Sequence, residues 1–600
     1  MKRLALALLC TAVWLHAETY SLGPDSQPQN VPHGTVTSYL LRAGSFYPGT
    51  PHKYSVYVPA QYDAQKAAPF MIFLDGSGFL NDNERAPVVL DNLIARHELP
   101  PIIGIFVDPG VLPAVSGQAQ NRFERVFEYD SLSDRYSRFL LEELIPEVAR
   151  KYNLSSDPDD RALSGVSTGA VGAFMAAWNR PDQFHRVLSF IGTYVAMKGA
   201  DSLPALVRKT EQKPLRVFMQ DGTNDHMAPA EPYGTFYAGS WPINNQVMFQ
   251  ALEYSGYDVK LVMGDEAHNM KQGAAILPDA LRWLWRDYPK PITVREPAAM
   301  HEPGWDPRGK VFSTIWAARP WEQVGAGYSS VANLTSDKDG NVFFADAEGG
   351  RIYKAAPDGH VSVFRDHANG VRGLAAGADG RLYASQLGRR SIVSYGSSGD
   401  ERVVARNVTA DLIAVTAQGR LYFVDTGART IGSVEGIGQA AGDRGHEAGH
   451  ARIVYRGDGL AAPSGLALSP DQAMLIVSDG QARFSWSFQI ARDGSLLNGE
   501  PFYRLEIPEA GWMSGVAGVT EDSIGQVYFA TPFGLQVCEA NGRVAEILNP
   551  PEHGGISGAV FAGKNRDWLY VSEGNKLFRR PVKVTGAAPD APVKPPKPPL

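Results

Sequence analysis

Ser167 lies in Arg-Ala-Leu-Ser-Gly-Val-Ser-Thr-Gly-Ala, residues 161–170, at the centre of a G-x-S-x-G pentapeptide that runs from Gly165 to Gly169. A serine hydroxyl is a weak nucleophile near neutral pH, so it needs a base within hydrogen-bond reach and an acid that orients the base. Both residue types follow in chain order: Asp225 ends Asp221-Gly222-Thr223-Asn224-Asp225, and His268 ends Gly264-Asp265-Glu266-Ala267-His268. The chemistry expected of this set is nucleophilic attack by Ser167 through a tetrahedral intermediate, with His268 carrying the proton. Asp225 is favoured over Asp221 as the acid because its longer loop excursion gives it reach, and His226 is the rival base. The oxyanion also needs donors, expected from the Thr168 backbone N–H and from the Asp75–Gly78 turn through Gly76.

In a chain with 61 glycines the pentapeptide alone says little, and its surroundings decide. Residues 70–74 and 102–107 are short apolar runs that stop at Asp75-Gly76-Ser77-Gly78 and Asp108-Pro109-Gly110. Such runs fit a parallel sheet buried on both faces. Residues 35–41 and 53–58 read as further strands, residues 134–152 as an amphipathic helix, and residues 186–191, 215–219 and 258–263 as strands. Strand and helix alternate, which predicts an α/β hydrolase fold, a mostly parallel sheet with helices on both faces, whose ligands sit at the carboxyl ends of the strands. Ser167 then occupies a sharp strand-to-helix turn, and the loops after residues 215–219 and 258–263 carry Asp225 and His268.

Residues from about 54 to 288 resemble the esterase family that includes enterochelin esterases, feruloyl and acetyl xylan esterases and S-formylglutathione hydrolases. The likeness rests on Glu128-Tyr129-Asp130, Gly-Val-Ser-Thr-Gly, Trp178-Asn179-Arg180-Pro181, Gly-Thr-Asn-Asp, Gly256-Tyr257-Asp258-Val259 and Leu281-Arg282-Trp283-Leu284-Trp285. It implies Ser167, Asp225 and His268 as the catalytic set. Ala170 is a departure, since relatives often carry a second glycine there. Trp241 is similar to a pocket-wall aromatic of these enzymes and reads equally as a core tryptophan.

After residue 310 the text repeats. Val342, Leu382, Leu421, Leu475, Val527 and Leu569 mark the same place in six β-rich units, spaced by 40, 39, 54, 52 and 42 residues. That period suits a blade of four antiparallel strands and predicts an all-β six-bladed β-propeller. Residues 311–582 resemble the gluconolactonase and regucalcin family, chiefly through residues 462–471 and 534–538. The family's divalent-cation ligands, a glutamate, two asparagines and an aspartate, are matched here by Ala332, Ala410, Ser464 and Ala517. A hard cation wants about six oxygen ligands, so the resemblance implies the fold without a metal site. His446-Glu447-Ala448-Gly449-His450 spells a zinc-protease pattern, but the glycines around it argue against the helix that pattern needs, and it reads as a loop.

The chain has 600 residues, 57 Lys+Arg against 64 Asp+Glu, and 44% hydrophobic residues. This describes at least two folded domains with no electrostatic footprint for nucleic acid or an anionic membrane. Lys2 and Arg3, an apolar run over residues 4–15 and Ala17 read as a secretory signal. Cys10 belongs to that signal, which leaves Cys538 unpaired and expected to be a buried apolar residue. The expected organisation is a signal peptide (1–17), a tether (18–33), the esterase domain (34–289), a linker (290–310), the propeller (311–582) and a disordered Pro-rich tail (583–600). No stretch after the signal is long enough to span a membrane, and no cofactor is called for. The expected function is that of an exported serine esterase, periplasmic or extracellular, acting on an ester-decorated carbohydrate or a related natural ester. The propeller would serve for binding or positioning. The alternatives are a sugar lactonase seated in the propeller and a non-catalytic binding protein, and oligomeric state is left open.

Overall fold

The computed structural model describes residues 20–226, 239–294 and 319–597, except 347, 369, 438–448, 458 and 509–510. The chain divides into two compact units.

The first unit is built on an eight-stranded sheet. Its strands are β1 (Thr35–Leu41), β2 (His52–Val58), β3 (Phe70–Leu74), β4 (Ile103–Val107), β5 (Arg161–Val166), β6 (Arg186–Phe190), β7 (Arg216–Gly222) and β8 (Asp258–Gly264), in the order β1-β2-β4-β3-β5-β6-β7-β8. The pairs β1/β2 and β2/β4 are antiparallel and all others parallel. β3 shows why helices cover both faces. Phe70, Ile72 and Leu74 enter one core with Val171, Phe174 and Met248, whereas Met71 and Phe73 enter a second with Leu90, Leu93 and Leu281. Period-two alternation in a continuous apolar run thus requires a helical layer on each side. The expected helix over residues 134–152 is found from 135 to 149, with a π-helical turn at Leu140–Leu144.

Residues 20–33 do not behave as a tether. Asp25 pairs with Arg96 at 2.8 Å and with Arg282 at 2.5 Å, and Asn92 donates to the carbonyls of Asp25 and Gln27. A polar segment is thereby fixed by ion pairs that composition does not reveal.

The second unit is a six-bladed β-propeller, each blade a four-stranded antiparallel sheet. All six repeat marks, Val342 to Leu569, fall in the second strand of a blade. The ring closes where Glu322–Gly325 pairs with Lys576–Pro581 of the last blade. The tail departs from the expected disorder as far as residue 597. Val584 is buried, the Ala587 amide donates to the Glu521 carbonyl at 3.0 Å, and the Val593 amide donates to the Pro470 carbonyl at 2.8 Å. Backbone pairing holds this segment, and a Pro-rich sequence gives no periodic sign of it. The expected linker falls largely on 295–318, and the expected signal on 1–19, outside the described residues. His446 and Glu447 lie outside them as well, and His450 is exposed.

Candidate active site

β5 ends at Val166, and α1 (Thr168–Asn179) begins one residue after Ser167. Ser167 bridges them at φ 58°, ψ −120°. An L-residue holds such a backbone at a cost of about 1–3 kcal/mol, and only when its surroundings over-determine it. The two flanking glycines supply that constraint. A Cβ at Gly165 would stand 2.0 Å from the Gly169 carbonyl oxygen, and one at Gly169 would stand 2.8 Å from Asp75 Oδ2. Ala170 does not open the turn, since its amide donates to the Ser167 carbonyl at 3.0 Å.

Ser167, His268 and Asp225, 101 and 43 residues apart, come together beyond the ends of β5, β8 and β7. His268 Nε2 lies 3.0 Å from Ser167 Oγ, and His268 Nδ1 lies 2.9 Å from each Asp225 carboxylate oxygen. A carboxylate has no hydrogen to give, so Nδ1 carries the ring hydrogen and Nε2 is left to accept from the Ser167 hydroxyl. Burial pushes the Asp225 carboxyl up, but its hydrogen bond to His268 and the charge of that ring outweigh this and leave it below its ordinary value. Such a chain can draw a proton from the hydroxyl as it attacks and can hold an imidazolium afterwards.

Asp221 takes a different part. The strand expected over residues 215–219 runs on to Gly222, so Asp221 is a buried strand residue and not a loop residue. Its oxygens accept from the Gly222 amide at 2.8 Å and from Asn245 Nδ2 at 3.0 Å. Burial, and then the hydrogen bond to and repulsion from Asp225, push it up to about 9. Asp221 thus stands behind Asp225, held toward its protonated form by burial and by that charge, and the oxygens at 2.9 Å from His268 Nδ1 are those of Asp225.

On the oxyanion side, the Thr168 and Gly76 amides have no acceptor among the described residues. Gly76 must be glycine, because a Cβ there would meet the Phe106 carbonyl carbon at 2.3 Å. Thr193 carried no motif in the sequence. It follows β6, its hydroxyl lies 3.0 Å from Ser167 Oγ, and its amide donates to the Ser167 carbonyl at 3.2 Å. With the serine hydrogen directed to His268, the Thr193 hydroxyl is the donor to Ser167. Its position at the carboxyl end of a parallel strand was the one sign that could have marked it. A cavity of about 190 Å³ is lined by Asp75, Gly78, Phe79, Arg125, Met270 and Val166, the last of these being the residue before Ser167.

Trp241 is 2% exposed and sits edge-on to His268, ring centroids 5.3 Å apart, which makes it a support of the imidazole and not an open pocket wall. His226 stacks on His268 at 4.8 Å. Asp225, His226 and His268 form the one group of described residues with ligand atoms close enough to share a metal ion. Binding one there would take Asp225 and His268 from each other and from Ser167. In the propeller, Ser464 and Ala517 line a small cavity with Asn333 and Ser557, and no carboxylate lines it. Ser464 Oγ is paired with Ser478 Oγ at 3.0 Å, and Ala410 is buried in a hydrophobic cluster. This donor set does not fit a hard divalent cation.

Residues 45–276 match the family described as Putative esterase, and residues 331–575 match the SMP-30/Gluconolactonase/LRE-like region. An iron(III) enterobactin esterase from Dickeya dadantii is 25% identical over 244 residues, 38% of this chain and 50% of that protein. A gluconolactonase from Zymomonas mobilis is 24% identical over 286 residues, 42% of this chain and 77% of that protein. Among solved structures, a gluconolactonase from Xanthomonas campestris is 19% identical with a TM-score of 0.38, covering 45% of this chain and 92% of its own. The chain spans half the length of the Dickeya esterase.

Proposed function

We propose, for a chain made of an esterase domain followed by a gluconolactonase-like propeller, that the protein is an exported serine ester hydrolase working through an acyl-enzyme. One unbroken line of hydrogen bonds, from Ser167 through His268 to Asp225, carries this reading. Ser167 Oγ attacks the ester carbonyl carbon while its proton passes to His268 Nε2, and Asp225 holds the resulting imidazolium. The carbonyl oxygen, now negative, takes the two free amides of Gly76 and Thr168. When the intermediate collapses, the C–O bond to the alcohol breaks and His268 returns the proton to the leaving oxygen. Water then repeats the sequence on the acyl-enzyme, with His268 again as base.

The substrate class is an ester carried on a carbohydrate or a related natural ester, and the propeller is a binding or positioning module. Export is supported by the basic, apolar and small-residue order of residues 2–17. The lactonase alternative is disfavoured by the residue types at Ala332, Ala410, Ser464 and Ala517. The wild-type protein should hydrolyse nitrophenyl acetate and be labelled by a fluorophosphonate, and Ser167→Ala should do neither while keeping its circular dichroism. Undiminished turnover by Ser167→Ala would overturn the assignment. A panel of feruloyl, acetyl and lactone substrates then ranks the natural ester.

A further inference from the structure

Arg125, the first residue of α2 (Arg125–Tyr129), spans the two chain segments that carry the free amides. Its Nε donates to Asp75 Oδ1 and its Nη2 to Asp75 Oδ2, both at 2.7 Å. The same Nη2 donates to the Val166 carbonyl at 3.0 Å. Asp75 immediately precedes Gly76, and Val166 immediately precedes Ser167 and Thr168. One guanidinium thus ties the β3 end to the β5 end. The planar fork suits this task, since it places two parallel bonds on one carboxylate and keeps an N–H for the carbonyl.

The local backbone shows what the fork holds. Asp75 sits in the left-handed region at φ 57°, ψ 43°, which turns the following peptide and its Gly76 amide away from the strand direction. Tyr129, from the same α2, accepts the Asp75 amide at its hydroxyl at 3.3 Å. The Asp75 carboxylate also lies against the first turn of α1, as the 2.8 Å approach of a Cβ at Gly169 shows. A full negative charge therefore stands beside the place where an oxyanion would form. Left unpaired in a half-buried site, it would oppose that charge. Paired bidentately, it does not.

We infer that Arg125 is a positioning residue for the oxyanion site, fixing the Gly76 and Thr168 amides relative to each other and neutralising the Asp75 carboxylate beside them. This rests on the ester-hydrolase reading above and adds a residue to it that no motif in the sequence marks. Its action is on the transition state, because the ground-state carbonyl oxygen carries little charge and the tetrahedral intermediate carries a full one.

The test is a cycle on the full chain. Arg125→Ala should lower kcat for nitrophenyl acetate by about 10²-fold with KM changed less than about threefold. Removing the orphaned charge should restore part of the loss, so Asp75→Asn with Arg125→Ala should regain at least tenfold over Arg125→Ala alone. Guanidinium added to Arg125→Ala should also raise kcat, and Arg125→Lys should fall between wild type and Arg125→Ala. If Arg125 served only the fold, the double variant would be no better than the single one and guanidinium would do nothing, and either result overturns the inference. Should Arg125→Ala not fold, Arg125→Lys decides alone: a lowered kcat with KM within about threefold supports the role, and wild-type kcat counts against it. A wild type inert on every ester would defeat the hydrolase reading itself, whereas active wild type with unchanged Arg125→Ala would defeat only this role.

Discussion

Asp346 and Asp479 in the propeller and Asp225 in the sheet unit are buried carboxylates with different tasks. The two in the propeller face backbone amides. Asp346 accepts from the amides of Ser329, Ser330 and Gly349, and Asp479 from those of Ala461, Ala462 and Gln481. Each closes a loop between strands, and its charge is consumed by the fold. In the sheet unit, Asp225 presents both oxygens to an imidazole whose far nitrogen meets a hydroxyl. The same residue type serves architecture in one unit and a reactive line in the other. At Ala332, Ala410, Ser464 and Ala517, the positions that the resemblance matches to a family's cation ligands, alanine and serine stand, and the blades close all the same. A fold survives the loss of its site because packing and site chemistry draw on different residues.

The sharpest way to break this contrast is at Asp225. Asp225→Asn keeps size and hydrogen bonding but lets the His268 ring settle in the wrong tautomer, and kcat should fall by about 10³–10⁴-fold. His226→Ala, which removes a ring stacked on His268 and edge-on to Trp241, should cost less than about tenfold. Equal losses in steady-state hydrolysis by the two variants would mean that Asp225 is not the orienting acid.

The propeller counterpart is Asp479→Ala. It strips the acceptor from the amides of half-buried Ala461 and Ala462 and of exposed Gln481; each charged bond of this kind contributes on the order of 1.5–3 kcal/mol, part of which water at these accessible amides replaces. Chemical denaturation should show the propeller less stable by about 2–4 kcal/mol, while turnover of a small ester at 25 °C stays within twofold. A loss of kcat as large as that of Asp225→Asn would erase the distinction between the units.

Asp221 is the intermediate case, a propeller-like buried carboxyl set inside the reactive unit. Its folded form keeps the proton to about 9, whereas an unfolded carboxyl releases it near 3.8. The stability it contributes is therefore full below about pH 3.8 and declines as pH rises toward 9. Asp221→Asn needs no proton, so its melting temperature should gain on wild type by a few degrees between pH 4.5 and 8.5. A difference between the two proteins that is the same at both pH values would show that Asp221 is ionised in the fold.

These residues also show what a sequence can reveal. Gly165 and Gly169 were readable because their reason is local and steric, and the order of Ser167, Asp225 and His268 because it follows strand ends. The six repeat marks were readable because every blade must bury the same second strand. Asp221 was placed in a loop because Gln220 and Asp221 look like the end of an apolar run, although both are buried in β7. Arg125 lies 50 residues from Asp75 and Thr193 lies 26 from Ser167, and no periodicity links such pairs. Residues 20–33 and the tail are illegible in the sequence for a related reason. Single ion pairs and backbone bonds dock them, and composition records neither.

The smallest expected effect is on chelation, where the two units should respond alike by not responding. A hard cation needs about six oxygens including carboxylate, and Ala332, Ala410, Ser464 and Ala517 bring one hydroxyl between them. That hydroxyl is already engaged with Ser478. EDTA should therefore change ester turnover by less than about 1.5-fold, and calcium added afterwards should restore nothing. Gluconolactone should likewise be hydrolysed no faster with calcium than with chelator. Lactone hydrolysis that vanishes with EDTA, returns with calcium and persists in Ser167→Ala would move the chemistry into the propeller, and with it the line drawn between the two units.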